Sequence, residues 1–482
     1  MRNRIPYLVL ILVLAVATLG AMEWLNTPIS AAPVRPPAAP GPSAAAPAPV
    51  SATAGPVTVE GRLVAGQIPP HGTQAVDLCL TLTAAANEGR GQESSQGADL
   101  VVVLDVSGSM AGKKLADAKA AVAALVRGLS DRDRFALVAY GDEAWIQSPL
   151  ALATRAGKER MERDLACLND WGSTNLSGGL EMGMKILAEN RGAGNRGKVV
   201  LVSDGQANRG VTDPEALAVL AERALSGDFA VSSVGVGLDF NETLMASLAD
   251  HGGGTYRFLS DPEEFYGAFS QELNRTRAVA ATGIAVRVPL PAGVRVADAG
   301  GYPVTTSGNE AVFHPGDLLD GQARTIYVTL EVSEEAKNPV SIPGARVEFR
   351  AGDRSHEAVL AKSFTIARAE DEAGAWASLD RESWEKKVSV DSFARLRQEV
   401  ARSVAKGDYA DARDKLKEYR RDTDAKNQVV RSPSVTAHLE KDVSRLESEL
   451  GAMAAAPAEE QAQVQKAESK RLQYEGYKGR RN

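Results

Sequence analysis

The sequence predicts a doubly wound α/β fold with a mostly parallel sheet, inserted in a β-sandwich and followed by an α-helical segment. Three observations carry this. First, apolar runs at residues 100–104, 199–202 and 230–237 alternate with stretches at helical spacing, such as Leu115, Ala118, Val122 and Leu125. That is the pattern of parallel strands covered on both faces by crossover helices. Second, residues 57–84 and 278–367, on either side of this region, alternate at a two-residue period between Gly and Pro turns. Antiparallel sandwich strands have that pattern, and two strands alone are marginal, so the two segments are expected to pair. Third, Trp376, Leu379, Trp384, Val388, Phe393, Leu396 and Val400 recur at helical spacing in a highly charged carboxyl-terminal stretch.

The α/β region is organised around Val101-Val-Val-Leu-Asp105-Val-Ser107-Gly-Ser109-Met110. A buried strand ends at a carboxylate, and two hydroxyls follow at two-residue spacing before a helix begins. Such a loop lies at the carboxyl end of a central strand, where open α/β sheets bind ligands. One carboxylate and two hydroxyls form a hard-oxygen set suited to Mg²⁺, Mn²⁺ or Ca²⁺. Two later stretches join it: Gly172-Ser-Thr174-Asn175, a polar turn opening a helix, and Lys198-Val-Val-Leu-Val-Ser-Asp204-Gly205, another strand ending in a carboxylate.

In order and context these stretches resemble the von Willebrand factor A (VWA) domain with its metal-ion-dependent adhesion site. The resemblance covers about residues 98–277. It implies that Asp105, Ser107, Ser109, Thr174 and Asp204 surround one divalent cation, Mg²⁺ before Ca²⁺ or Mn²⁺. It also implies that a protein partner completes the shell with an Asp or Glu carboxylate. The arrangement is similar to bacterial envelope VWA proteins, including the calcium-activated chloride channel-like type. The amino-terminal strand segment is too short to equal a full domain of the inter-alpha-trypsin-inhibitor type.

The rest of the chain follows in order. At 482 residues two to four domains are expected. Residues 1–24 form a signal peptide or membrane anchor: Arg2 and Arg4 precede an uncharged run through Met22, which puts the remainder outside the cytoplasm. Residues 25–56 are Ala/Pro-rich and predict a tether. Residues 57–97 hold sandwich strands and a polar loop, 98–277 the α/β domain, 278–368 further sandwich strands, and 369–482 a helical region. In the last, Gly407-Asp408-Tyr409 opens the second helix of a hairpin. Its basic end, from Lys470 to Arg481, is expected to be a loose, solvated tail. Cys79 and Cys167 form either one disulfide or two free thiols.

A net charge of −7 gives no electrostatic case for nucleic acid. Enzyme signals fail individually. Gly108-Ser-Met-Ala-Gly112-Lys113-Lys114 is one residue short of a phosphate loop and has Lys where Ser or Thr belongs. His251-Gly-Gly-Gly254 resembles an oxyanion-hole segment, but no G-x-S-x-G accompanies it. His71, His314, His356 and His438 have no metal spacing. The expected function is therefore non-enzymatic, cation-dependent protein binding outside the cytoplasm, with no small-molecule substrate. A structural envelope assembly factor, its cation only stabilising the loops, is the alternative.

Overall fold

The chain enters as a hairpin. Strands β1 (Val50–Ala54) and β2 (Val57–Leu63) pair antiparallel around Gly55, whose φ of +49° suits a residue without a Cβ. β1 lies inside the stretch expected to be tether. Its composition carries no strand signal, and the edge of β2 supplies the missing order. The computed structural model describes residues 48–86, 97–190, 195–204, 206–227, 229–259, 267 and 278–481. The leader expected at residues 1–24 and the polar loop before residue 97 lie outside the described residues in whole or nearly so. Among the described residues no helix is long and apolar enough to cross a membrane.

After β3 (Gln67–Ile68) and β4 (Gln74–Ala84) comes the α/β unit. Its strands are β5 (Ala98–Asp105), β6 (Arg134–Tyr140), β7 (Ala144–Leu152), β8 (Arg196–Ser203), β9 (Phe229–Val236) and β10 (Gly253–Leu259). They lie in the order β10-β9-β8-β5-β6-β7, and only edge strand β7 is antiparallel to its neighbour. Helices α1 (Lys113–Gly128), α2 (Arg155–Ala166), α3 (Leu176–Glu189), α4 (Pro214–Ser226) and α5 (Glu242–His251) cover the two faces. Every residue of β5 is buried, because its alternate side chains enter two separate apolar cores: Val102 and Leu104 on one side, Val101 and Val103 on the other. β5 is central, so its carboxyl end is where the loops converge.

The later strands are β11 (Val279–Pro289), β12 (Val294–Ala299), β13 (Thr305–Ser307), β14 (Glu310–Phe313), β15 (Leu318–Leu319), β16 (Ala323–Val332), β17 (Val340–Ile342), β18 (Arg346–Ala351), β19 (Arg354–Val359) and β20 (Phe364–Arg368). β4 pairs antiparallel with β16 along its whole length, from Gln74 opposite Val332 to Thr83 opposite Ala323. Segments before and after the α/β unit thus share one five-stranded sheet, β1-β2-β4-β16-β12. A six-stranded unit built on β11, β14 and β18 buries Val286, Phe313 and Val347 in the same core as Leu78, Leu80 and Val328.

The carboxyl-terminal region is helical: α6 (Glu372–Ala377), α7 (Arg381–Lys386), α8 (Phe393–Ala405), α9 (Tyr409–Val430), α10 (Pro433–His438), α11 (Ser444–Ala454) and α12 (Ala458–Arg481). The turn from α8 to α9 uses Gly407 at φ +75°, and Asp408 caps α9 by accepting the Asp411 N–H at 2.9 Å. Val400, Leu416, Val443 and Leu450 fill the helical core.

One expectation changes here, and one open alternative is resolved. The basic end is an ordered helix docked on the α/β unit. Lys470 Nζ donates to Phe240 O at 2.7 Å and to Glu242 Oε2 at 2.6 Å. The Tyr477 hydroxyl donates to Asp250 Oδ1 at 3.0 Å, and Arg481 grips both oxygens of Asp250 at 3.1 and 2.6 Å. The carboxylate partners of this cationic tail lie some 230 residues earlier in the chain. The cysteines are both free: Cys167 is exposed, and burial pushes the Cys79 thiol up to about 11.

Candidate metal centre

Three loops meet above β5. The first leaves Asp105, passes Ser107 and Ser109 through a single 3₁₀ turn (Gly108–Met110), and reaches α1 across Gly112 at φ +76°. Asp105 is fully buried. Its Oδ1 accepts the Ser107 N–H at 2.9 Å and its Oδ2 accepts the Ser203 hydroxyl at 2.7 Å. Burial pushes its carboxyl above the ordinary carboxylate range, against the lowering effect of these bonds. Asp204, also fully buried, accepts the Ser109 hydroxyl at Oδ1, 2.8 Å away. Ser107 and Ser109 touch through their hydroxyls at 3.0 Å. A continuous hydrogen-bonded set thus joins Ser107, Ser109 and Asp204, while Asp105 holds the backbone of the same loop. Ser109 is exposed, which opens the set to solvent on that side.

Thr174 reaches the site from the second loop. It is buried, and its backbone is clamped on both sides by the third loop: its N–H donates to Asn208 Oδ1 at 2.8 Å, and its carbonyl accepts from the Asn208 and Arg209 N–H groups at 3.2 and 3.3 Å. Gly172 O accepts the Gly108 N–H at 3.0 Å, which fixes the second loop to the first. No described bond joins the Thr174 hydroxyl to the other four side chains. Helix α3 begins directly afterwards, with Asn175 as its cap, accepting the Gly178 N–H at 3.0 Å. It lies close to the sheet because Gly179 and Gly183 face Tyr140 and Val103 without side chains: a Cβ would come within 2.7 and 2.5 Å of them.

Lys114 joins the site without being one of the expected ligands. Its ammonium donates to Asp204 Oδ2 at 2.5 Å and to Ser109 O at 3.3 Å, and lies 3.7 Å from Asp239 Oδ2. Asp239 is paired in turn with Lys466 of α12. The available signal was spacing: five residues after Ser109, in the first turn of α1, a long side chain can fold back over the loop.

The donor chemistry fits a hard divalent ion. Two buried carboxylates lie within one hydroxyl-rich pocket, and an ammonium stands where positive charge is needed. Among the described residues no cluster of three or more His, Cys, Asp or Glu offers a competing metal site.

Comparison with known proteins agrees with the α/β fold. The von Willebrand factor type A domain model matches residues 99–271. The Escherichia coli protein YfbK, itself uncharacterised, is 27% identical over 203 residues, covering 41% of this chain and 35% of its own length. The inter-alpha-trypsin inhibitor heavy chain H3 of Mesocricetus auratus is 29% identical over 163 residues, covering 32% of this chain and 18% of its own. The chain therefore spans well under two thirds of these relatives. Among solved structures, a von Willebrand factor type A protein from Catenulispora acidiphila superimposes with a TM-score of 0.62 at 19% identity, over 87% of this chain and 96% of that one. The ArnB paralog VWA2 from Sulfolobus acidocaldarius does so at 0.53 and 15% identity, over 88% and 99%. Both likenesses extend beyond the α/β unit into the β-rich and helical parts. VWA domains generally mediate protein–protein interaction and commonly bind a divalent cation, and residues 99–271 of this chain form such a domain.

Proposed function

We propose that this is a non-enzymatic, membrane-associated protein acting outside the cytoplasm, and that its VWA domain binds a protein partner through a divalent cation, best Mg²⁺. Asp105, Ser107, Ser109, Thr174 and Asp204 hold the ion directly or through water. When bound, the ion supplies an electron-poor coordination position for an Asp or Glu of the partner. The observation that carries this reading is the Ser107–Ser109–Asp204 set above buried Asp105, open to solvent at Ser109. Two carboxylates at most neutralise a divalent charge, which leaves affinity for an outside anion. The pairing of β4 with β16 supports reading the β-rich parts as one sandwich with the VWA domain inserted. The uncharged run after Arg4 supports membrane attachment or export, and kinship with envelope proteins of the chloride channel-like type is part of the same proposal.

Capture from envelope extract tests it. The wild-type chain is expected to retain partners in Mg²⁺ and release them in chelator, and Thr174→Ala to retain its fold while capturing less. Capture indifferent to chelator and mapped to residues 369–482 would transfer the function to the assembly-factor alternative.

Lys114 makes a separate prediction. Its ammonium and the ion compete for Asp204, so Lys114→Met should raise divalent affinity several-fold in calorimetric titration. The same variant should be less stable in chelator by roughly 3–5 kcal/mol or somewhat less, since Lys114 is one-third exposed while Asp204 stays buried without a partner cation. Unchanged affinity would show that the ammonium does not occupy the ion's place.

A further inference from the structure

We propose that the partner segment carries a large apolar side chain one or two positions from its acidic residue, and that Trp171 receives it. The inference rests on the cation-dependent reading above and specifies the partner's chemistry.

Trp171 is the one aromatic among the described exposed large apolar side chains, at 54% exposure. It sits directly beside the metal loop. Its backbone N–H donates to Val106 O at 2.6 Å, one residue from Asp105, and the Gly172 carbonyl accepts the Gly108 N–H. The position is held rigidly. Gly172 adopts φ +76°, where a Cβ would strike the Asp142 carboxylate at 2.8 Å, and Asp142 Oδ1 accepts the Ser173 N–H at 3.0 Å. The Trp171 ring meets Trp145 edge-on at 6.5 Å. A tryptophan fixed this way loses little freedom on binding, and exposed, pre-ordered aromatics are the side chains that dominate interface energy.

Two exposed cations, each paired with a neighbouring carboxylate, flank the site. Arg209, 52% exposed, reaches Asp142 at 3.1 Å from the loop that clamps Thr174. Lys113, 78% exposed, stands at the start of α1 on the other loop, where it pairs with Asp117 at 2.7 Å. Exposed Val211, whose N–H donates to Ser177 Oγ at 3.0 Å, adds apolar surface on the α3 side. Cationic groups with exposed apolar side chains around one acceptor of carboxylate fit an acidic peptide with an apolar neighbour, since successive residues of an extended chain advance about 3.3 Å each.

Fluorescence anisotropy with three labelled peptides tests this, using the full chain in Mn²⁺. The peptides are Gly-Gly-Phe-Asp-Phe-Gly-Gly, the same with both Phe replaced by Gly, and the same with Asp replaced by Asn. The Phe-Asp-Phe peptide is expected to bind roughly 10-fold or more tighter than the Gly version, and the Asn peptide to bind negligibly. Trp171→Ala should reduce the Phe-Asp-Phe peptide to the level of the Gly version while its Mn²⁺ isotherm stays that of wild type, and Trp171→Phe should recover part of the difference. Equal binding of the Phe and Gly peptides, no binding of either in a chain that binds Mn²⁺, or unaltered binding by Trp171→Ala would each overturn the proposal. So would capture of anionic phospholipid vesicles in place of the peptides. A chain that binds no Mn²⁺ would instead refute the cation-dependent reading beneath it.

Discussion

Asp105→Asn is expected to stabilise the chain in chelator and to abolish its stabilisation by divalent ions. The two effects have one cause. Asp105 is fully buried, and burial raises its carboxyl above the ordinary range, so its ionised form near neutral pH opposes folding when no cation offsets it. The sign follows from the direction of that shift. A carboxyl whose folded value is raised contributes stability that is complete below its unfolded value and is lost as pH rises through the folded one. In chelator the wild type should therefore gain stability relative to Asp105→Asn as pH falls from neutral toward the carboxylate range. With the ion present the order reverses: the wild type gains about 2.7 kcal/mol when the ion stands at roughly 100 times its Kd, and the variant gains little. Chemical denaturation at several pH values, with and without Mg²⁺, reads all four states. A variant as responsive to Mg²⁺ as the wild type would remove Asp105 from the site.

Arg481→Ala should destabilise the chain by about 3–5 kcal/mol, the range for breaking a buried ion pair. Arg481 and Asp250 have side-chain exposures of 14% and 10%. The guanidinium binds both Asp250 oxygens, donates to Gly301 O at 3.0 Å and stacks on Tyr302 at 3.8 Å. Truncation leaves Asp250 with the Tyr477 hydroxyl as its remaining described partner on α12. Arg481→Lys should recover only part, because a point charge cannot make the two-pronged contact. Urea denaturation followed by amide exchange across α12 checks both. A loss below about 0.5 kcal/mol would return this end of the chain to the solvated tail that its composition suggests.

Much of the α/β unit was legible because its signals are local. Apolar runs marked the parallel strands, helical spacing from Leu115 to Leu125 marked α1, and the motif residues lie at strand ends by sequence alone. What escaped depends on partners distant in the chain. β1 is ordered by β2 despite its Ala-rich composition. Short strands such as β13 and β15 exist only as additions to β14 and β11. The docking of α12 is a charge match between residues 470–481 and carboxylates at positions 242, 250 and 298. Lys114 was visible as a residue and was weighed against a phosphate loop, but its place over Asp204 follows from the fold of Gly112 and the approach of β8 to β5.

On the function proposed above, the loops above β5 hold one divalent ion. Calorimetric titration of Mn²⁺, then Mg²⁺, into the metal-free full chain tests it most directly. A single site per chain is expected, saturating in or below the millimolar range and absent in Asp105→Ala. A flat isotherm for the wild type through millimolar concentrations, or an unchanged one for Asp105→Ala, would contradict it.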